Sequence, residues 1–215
     1  MTDHPADGPS APGGPIRILL ADDERLILGA MAALLELEDD LTVVAQAASG
    51  TQALDLARVL RPEVAVIDLQ MPDLDGVAVA ERLHEELPAC RTMIVTSHGL
   101  PGHLKRALTA GVRGFLPKTV SAETLAAVVR TVHGGGRYVD PQLAAEAISA
   151  GANPLTMREA QVLELAAGGA PVEEIARRAA LSPGTVRNYL SSAVGKTGAA
   201  NRHEAVRIAL GRGWI

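Results

Sequence analysis

A chain of 215 residues with 47% apolar content can bury cores of its own, and its length suits one or two domains. No stretch reaches the roughly 18 apolar residues that a membrane span needs, and the single cysteine, Cys90, excludes an intrachain disulfide or a cysteine-based zinc site and suits a reducing cytoplasm. Charge divides the chain: residues 1–153 carry 12 Lys and Arg against 20 Asp and Glu, whereas 154–215 carry 8 against 5, a basic balance that permits nucleic-acid binding without identifying it.

The first fifteen residues, rich in Pro, Gly and Asp and without the apolar stretch of a signal peptide, read as a disordered lead. From Ile16 short apolar runs alternate with amphipathic ones. The pattern predicts strands over 16–20, 42–47, 64–67, 92–96 and 114–116, and helices over 24–38, 50–60, 77–87, 101–110 and 121–133. Five such repeats indicate an α/β domain over 16–133, a doubly wound five-stranded parallel sheet of the flavodoxin-like kind. Gly134-Gly135-Gly136 stops the last helix, and 134–153 reads as a linker holding a short helix at about 141–149 and a turn at 151–154. Beyond it, 154–215 is all helical. Thr156 and Glu159 form a capping box, Gly168-Gly169 closes that helix, Pro171 begins a second, Ser182-Pro183 a third and Asn201 a fourth.

The strand ends carry the chemistry. Asp22-Asp23 ends the first strand, Asp68 the third, Thr96 the fourth and Lys118 the fifth, and ligands of an open parallel sheet bind outside the carboxyl ends of its strands. Each residue alone has a plain structural reading as a turn former, cap or turn hydroxyl. Their joint placement outweighs it. Carboxylates crowded at one edge call for a hard divalent cation such as Mg²⁺, which also neutralises an incoming phosphoryl group. Asp68 is then a nucleophile toward phosphorus, with the Thr96 hydroxyl and Lys118 ammonium serving the phosphoryl oxygens. Lys118 is telling because the chain uses 17 Arg and only 3 Lys, and a compact ammonium fits beside a small anion where a guanidinium does not.

These motifs, with Asp68 inside Asp-Leu-Gln-Met-Pro-Asp-Leu-Asp-Gly and Lys118 inside Gly-Phe-Leu-Pro-Lys, resemble the receiver domain of two-component response regulators. The resemblance implies phosphotransfer to Asp68 from a cognate sensor histidine kinase, with Mg²⁺ bound by Asp22, Asp23, Asp68 and the backbone carbonyl of Gln70. It makes Thr96 and Phe115 the switch pair. Pro117 is a local oddity, since it removes a backbone donor beside Lys118.

In the third helix of the second domain Val186, Leu190 and Val194 recur every four residues as an inward stripe, leaving Thr185, Arg187, Asn188 and Ser191 facing away. Any surface helix shows a polar face, so the context decides: a helix from Pro171, a Leu-Ser-Pro turn and then Gly184-Thr-Val-Arg-Asn make a helix-turn-helix. Arg and Asn are the usual readers of guanine and adenine edges. Residues 155–215 resemble the LuxR-type DNA-binding domain, and the whole is similar to the NarL/FixJ architecture, most like its desaturase-regulator (DesR-like) branch. This implies Arg187, Asn188 and Ser191 as base readers and Lys196 as a phosphate contact. Ser191 departs from the basic residue often found there.

Three rivals are weaker, and the complete acidic set argues against one of them, a receiver that regulates without phosphate. Haloacid-dehalogenase-like phosphatases need a second Asp two residues beyond the nucleophile, where this chain has Gln70. A ligand-sensing regulator needs an aromatic-lined pocket, whereas only Phe115 and Tyr138 precede the helical domain. The expectation is a cytoplasmic, non-enzymatic transcription factor, homodimeric when phosphorylated, that binds promoter DNA and no membrane.

Overall fold

The computed structural model describes residues 14–97, 101–149 and 153–215. Almost all of the expected disordered lead, and residues 151–152 of the turn expected at 151–154, lie outside the described residues. In chain order the elements are β1 (Ile16–Ala21), α1 (Arg25–Leu35), β2 (Leu41–Ala47), α2 (Gly50–Leu60), β3 (Val64–Asp68), α3 (Gly76–Glu86), β4 (Arg91–Thr96), α4 (Pro101–Thr109), β5 (Gly114–Pro117) and α5 (Ala122–His133). They continue with β6 (Tyr138–Val139), α6 (Pro141–Ser149), α7 (Met157–Ala166), α8 (Val172–Ala179), α9 (Pro183–Thr197) and α10 (Arg202–Arg212). Contacts gather these into two compact units: the chain up to Ser97 with Ala110–Val139, and α4 with Asp140–Ile215.

The first unit is a parallel sheet in the order β2-β1-β3-β4-β5-β6. Six strands replace the five expected: Tyr138 and Val139 pair with Gly114 and Phe115 inside the segment read as linker. The β-strand period of two sorts the core. Ile18, Leu20, Val64, Val66, Met93, Val95 and Leu116 pack with α1 and α5 residues such as Leu28, Leu35, Leu125 and Val129 in one apolar cluster. The alternate positions, Leu19, Ala65, Ile67, Ile94 and Phe115, are also buried. Buried on both faces, the inner strands read as continuous apolar runs.

Two local departures have physical causes. α1 ends at Leu35 rather than 38, because Leu37 N–H and Glu38 N–H turn back to the carbonyls of Leu34 and Leu35, a tightened last turn that feeds β2. Pro117 is tolerated because Lys118 N–H donates to the Thr96 carbonyl at 2.8 Å, so strand alternation turns the missing Pro117 donor toward β6, whose pairing with β5 has already ended at Phe115. Cys90, in the turn before β4, is 6% exposed, and burial pushes its thiol up to about 12.

The second unit buries Leu155, Val162, Leu163, Ile175, Val186, Leu190, Ala193 and Val206 in a separate core. Its capping box forms as expected: Glu159 N–H donates to Thr156 Oγ1 and Thr156 N–H to Glu159 Oε2. Ser182 and Asn201 cap α9 and α10. The turn between α8 and α9 passes through Ala180 at φ 55°, a left-handed conformation in a residue with a Cβ.

Candidate functional site

Parallel strands deliver their carboxyl ends to one edge, and there β1 and β3 bring Asp22 and Asp68 together. Asp22 is fully buried and Asp68 4% exposed, while Asp23 is exposed. Each of the three carboxylates offers an oxygen, and these oxygens lie within 4.8 Å of one another, close enough to hold one cation. Three anionic oxygens suit a hard divalent ion.

The backbone around Asp68 is fixed from several sides. Leu69 N–H donates to Val95 O at 3.0 Å and Gly76 N–H to Leu69 O at 2.9 Å. Gly76 must be glycine, since a Cβ there would overlap the Asp68 carbonyl oxygen. Asp75 caps α3 by accepting Ala78 N–H at 2.8 Å, and Asp73 accepts the N–H groups of Gly50 and Thr51, both at 2.9 Å, at the start of α2. Those amides hold the Asp73 carboxyl well below the usual range.

Lys118 is the electrostatic centre. Its Nζ lies 2.7 Å from Asp22 Oδ2, 3.0 Å from Glu24 Oε1 and 3.3 Å from Asp68 Oδ1, with the side chain 7% exposed. Burial works to lower its pKa, but the bonds to Asp22 and Glu24 and the charge of Asp68 outweigh it, so the ammonium stays protonated. Burial raises the Asp68 carboxyl to about 6; Lys118 opposes the rise, and Asp22 and Asp23 add to it. Thr96, 1% exposed, ends the strand beside Asp68, and Phe115 is fully buried opposite Ile94 in the β4–β5 register. Gln70 is exposed two residues past Asp68. The plain alternative for Asp23 fails on geometry: α1 starts at Arg25, and it is Asp22 Oδ1 that accepts the Glu24 N–H at 2.9 Å.

In the helical unit α9 buries Val186, Leu190 and Ala193; Val194, expected in the stripe, is only partly buried. Arg187, Asn188 and Ser191 are exposed on the opposite side, with Thr185 half-buried. The Thr185 hydroxyl shares a hydrogen bond with the Ser182 cap at 2.8 Å, and Arg187 Nη2 lies 3.4 Å from Glu173 Oε1. Lys196 stands apart from this group. Its Nζ donates to Glu159 Oε2 at 2.7 Å, while Ser192 Oγ donates to Glu159 Oε1 at 2.6 Å. These bonds, with the Thr156 N–H, hold the buried Glu159 carboxyl down at about 2 despite desolvation. Sequence reasoning missed the contact of Glu24 with Lys118 and the tie of Glu159, read only as half of a capping box, to Ser192 and Lys196; for Glu24 the run Asp22-Asp23-Glu24 was the one available hint.

Comparison with known families agrees with both halves. Residues 18–130 match the response regulator receiver domain, and residues 153–209 match the bacterial regulatory proteins of the luxR family. The chain is a two-component response regulator of the NarL/FixJ type. Among curated relatives, this regulator is 40% identical over 200 residues to the transcriptional regulatory protein DesR of Bacillus subtilis, spanning 93% of this chain and 99% of that protein. It is likewise 40% identical over 200 residues to YvfU, an uncharacterized transcriptional regulatory protein of the same species, spanning 93% of this chain and all of that one. A solved structure of RcsB from Salmonella enterica serovar Typhimurium, bound to the promoter rprA with phosphomimetic BeF3-, shares the fold at TM-score 0.65 and 23% identity, over 91% of this chain and 98% of that one. The regulator thus joins a receiver domain to a LuxR-type DNA-binding domain. No helix among its described residues is long and apolar enough to cross a membrane.

Proposed function

We propose that the regulator accepts a phosphoryl group on Asp68 from a sensor histidine kinase in the cytoplasm, and that this acyl phosphate controls dimerisation and promoter binding. The reading rests on one observation: the buried Asp68 carboxylate lies within 3.3 Å of the Lys118 ammonium and within reach of two further carboxylates at one sheet edge. An Asp68 oxygen forms a bond to phosphorus as the phosphorus–nitrogen bond of the donor breaks. The donor ring, protonated at its other nitrogen, leaves as neutral imidazole. Lys118 meets the charge on the phosphoryl oxygens, and the Thr96 hydroxyl donates to one of them. Asp22, Asp23, Asp68 and the Gln70 carbonyl would hold Mg²⁺, which neutralises charge on the transferring group. The chain is a stoichiometric acceptor in this scheme rather than a turnover enzyme.

On the output side, Arg187, Asn188 and Ser191 of α9 face base edges in the major groove. Lys196 keeps two N–H donors beyond the one it gives Glu159, and those suit a backbone phosphate. Incubation with acetyl phosphate and Mg²⁺ tests the input: Asp68→Asn, isosteric but non-nucleophilic, takes up no label while its thermal melt stays intact. Equal labelling of wild type and variant places the acceptor elsewhere.

A further inference from the structure

We propose that Glu24 is a positioning residue for phosphotransfer, the carboxylate that keeps the Lys118 ammonium in place once Asp22 and Asp68 are engaged elsewhere. This rests on the reading of Asp68 as phosphoacceptor. An ammonium has three N–H donors, and Lys118 directs its charge at three carboxylates, Asp22 at 2.7 Å, Glu24 at 3.0 Å and Asp68 at 3.3 Å. Two of these are compromised by the chemistry. Asp22 and Asp68 belong to the carboxylate group that can hold a cation, and Asp68 also forms the new bond to phosphorus. Glu24 stands outside that group, so its hold on Lys118 persists while the other two change partners.

Its own placement is secured by the same site. Glu24 N–H donates to Asp22 Oδ1 at 2.9 Å, and Glu24 O accepts Leu28 N–H at 3.0 Å in the first turn of α1. The backbone is therefore anchored at both amide and carbonyl, and only the side chain reaches across 94 residues of sequence to Lys118. Glu24 touches neither phosphorus nor the attacking oxygen; it acts through the ammonium. Half-exposed at 55%, its carboxylate is also reachable by solvent without unfolding anything, so substitution removes a solvated group and leaves the buried ammonium paired with Asp22 and Asp68.

The full chain with saturating Mg²⁺ and acetyl phosphate supplies the test. There an Asp68 oxygen bonds to phosphorus, the donor's phosphorus–oxygen bond breaks and acetate leaves. Initial rates against donor concentration separate the maximal rate from the half-saturating concentration. Displacing a charge-stabilising group by a fraction of an ångström to an ångström predicts that Glu24→Ala lowers the maximal rate about tenfold and moves the half-saturating concentration much less. Glu24→Gln keeps an oxygen acceptor at the same reach and recovers most of that loss. A parallel Mg²⁺ titration should give Glu24→Ala an affinity close to wild type. The inference is overturned if Glu24→Ala has the wild-type maximal rate, if Glu24→Gln falls as far as Glu24→Ala, or if metal affinity drops with the rate, which would put Glu24 at the cation. A wild-type chain that takes no label, or an Asp68→Asn chain that takes as much, overturns the phosphoacceptor reading itself and this inference with it.

Discussion

At the scale of the residue, the site works by placing like charges where they cannot relax. Asp22 and Asp68 are buried a few ångströms apart with a single ammonium between them, so one cation's worth of charge is still lacking. That deficit suits a cation, for which the exposed Asp23 offers a third carboxylate oxygen. We expect Asp23→Ala to weaken Mg²⁺ binding roughly 10–100-fold, since it removes an anionic oxygen from a cluster of three. Isothermal titration of both proteins would settle it, and an unchanged affinity would leave Asp23 a solvated surface carboxylate. Strand-end carboxylates, hydroxyl and amine were legible in the chain because each follows directly on a run of apolar residues. Glu24 was not, since its partner lies 94 residues away and nothing local distinguishes it from a first-turn helix charge.

Among the elements, strands and helices could be placed where burial imposes a period, and the places that escaped are those where it does not. Tyr138–Val139 is two residues long, too short to show alternation, and its strand character comes from the free edge that β5 offers at Gly114 and Phe115. Leu37 continues the helical spacing of α1 but is 78% exposed, because the chain has already turned. The same limit hid the tie between α7 and α9. Glu159 was legible as half of a capping box; that it also binds Ser192 and Lys196 on α9 depends on tertiary packing. Its carboxyl is held at about 2 in the folded protein against an ordinary 4.5, chiefly by Lys196 and then Ser192, so both folded and unfolded states are ionised above about pH 4.5 and the stabilisation is fully present there. It is lost as pH falls from 4.5 toward 2. Glu159→Gln should therefore cost about 3 kcal/mol at pH 7, and the gap should narrow as the pH drops to 3. Denaturant titrations of the two proteins across that range check this; a gap independent of pH would mean the carboxylate's charge contributes nothing.

The exposed face of α9 gives a further expectation at this scale. Arg187→Ala and Asn188→Ala should each cost roughly 1–3 kcal/mol on a target duplex and relax preference at particular base pairs. Lys196→Ala should weaken target and scrambled duplexes alike and lower the salt slope by about one unit. Because Lys196 also clamps Glu159, that variant should lose stability too, and Ser192→Ala separates the two effects: it loosens the clamp and leaves the ammonium. Titrations at several salt concentrations decide the matter. A target-to-scrambled ratio unmoved by Arg187→Ala and Asn188→Ala would remove α9 as the reader.

For the molecule as a whole, two separate apolar cores carry the two units: the strand-end groups of the first are themselves largely buried, whereas Arg187, Asn188 and Ser191 of the second are exposed. The chain also contains a single sulfhydryl, and the fold has put it out of use. Cys90 lies before β4, at the end of that strand away from Thr96, and a thiol raised to about 12 is ionised to only about one part in 10⁵ at neutral pH. Alkylating reagents and mild oxidants act on accessible thiolate, so the buried Cys90 is expected to react slowly with them. A cysteine introduced at Gln70, exposed two residues past Asp68, is then the favoured one for a fluorophore or spin label, and the receiver can be made to report on the loop after β3 without first stripping out a native thiol.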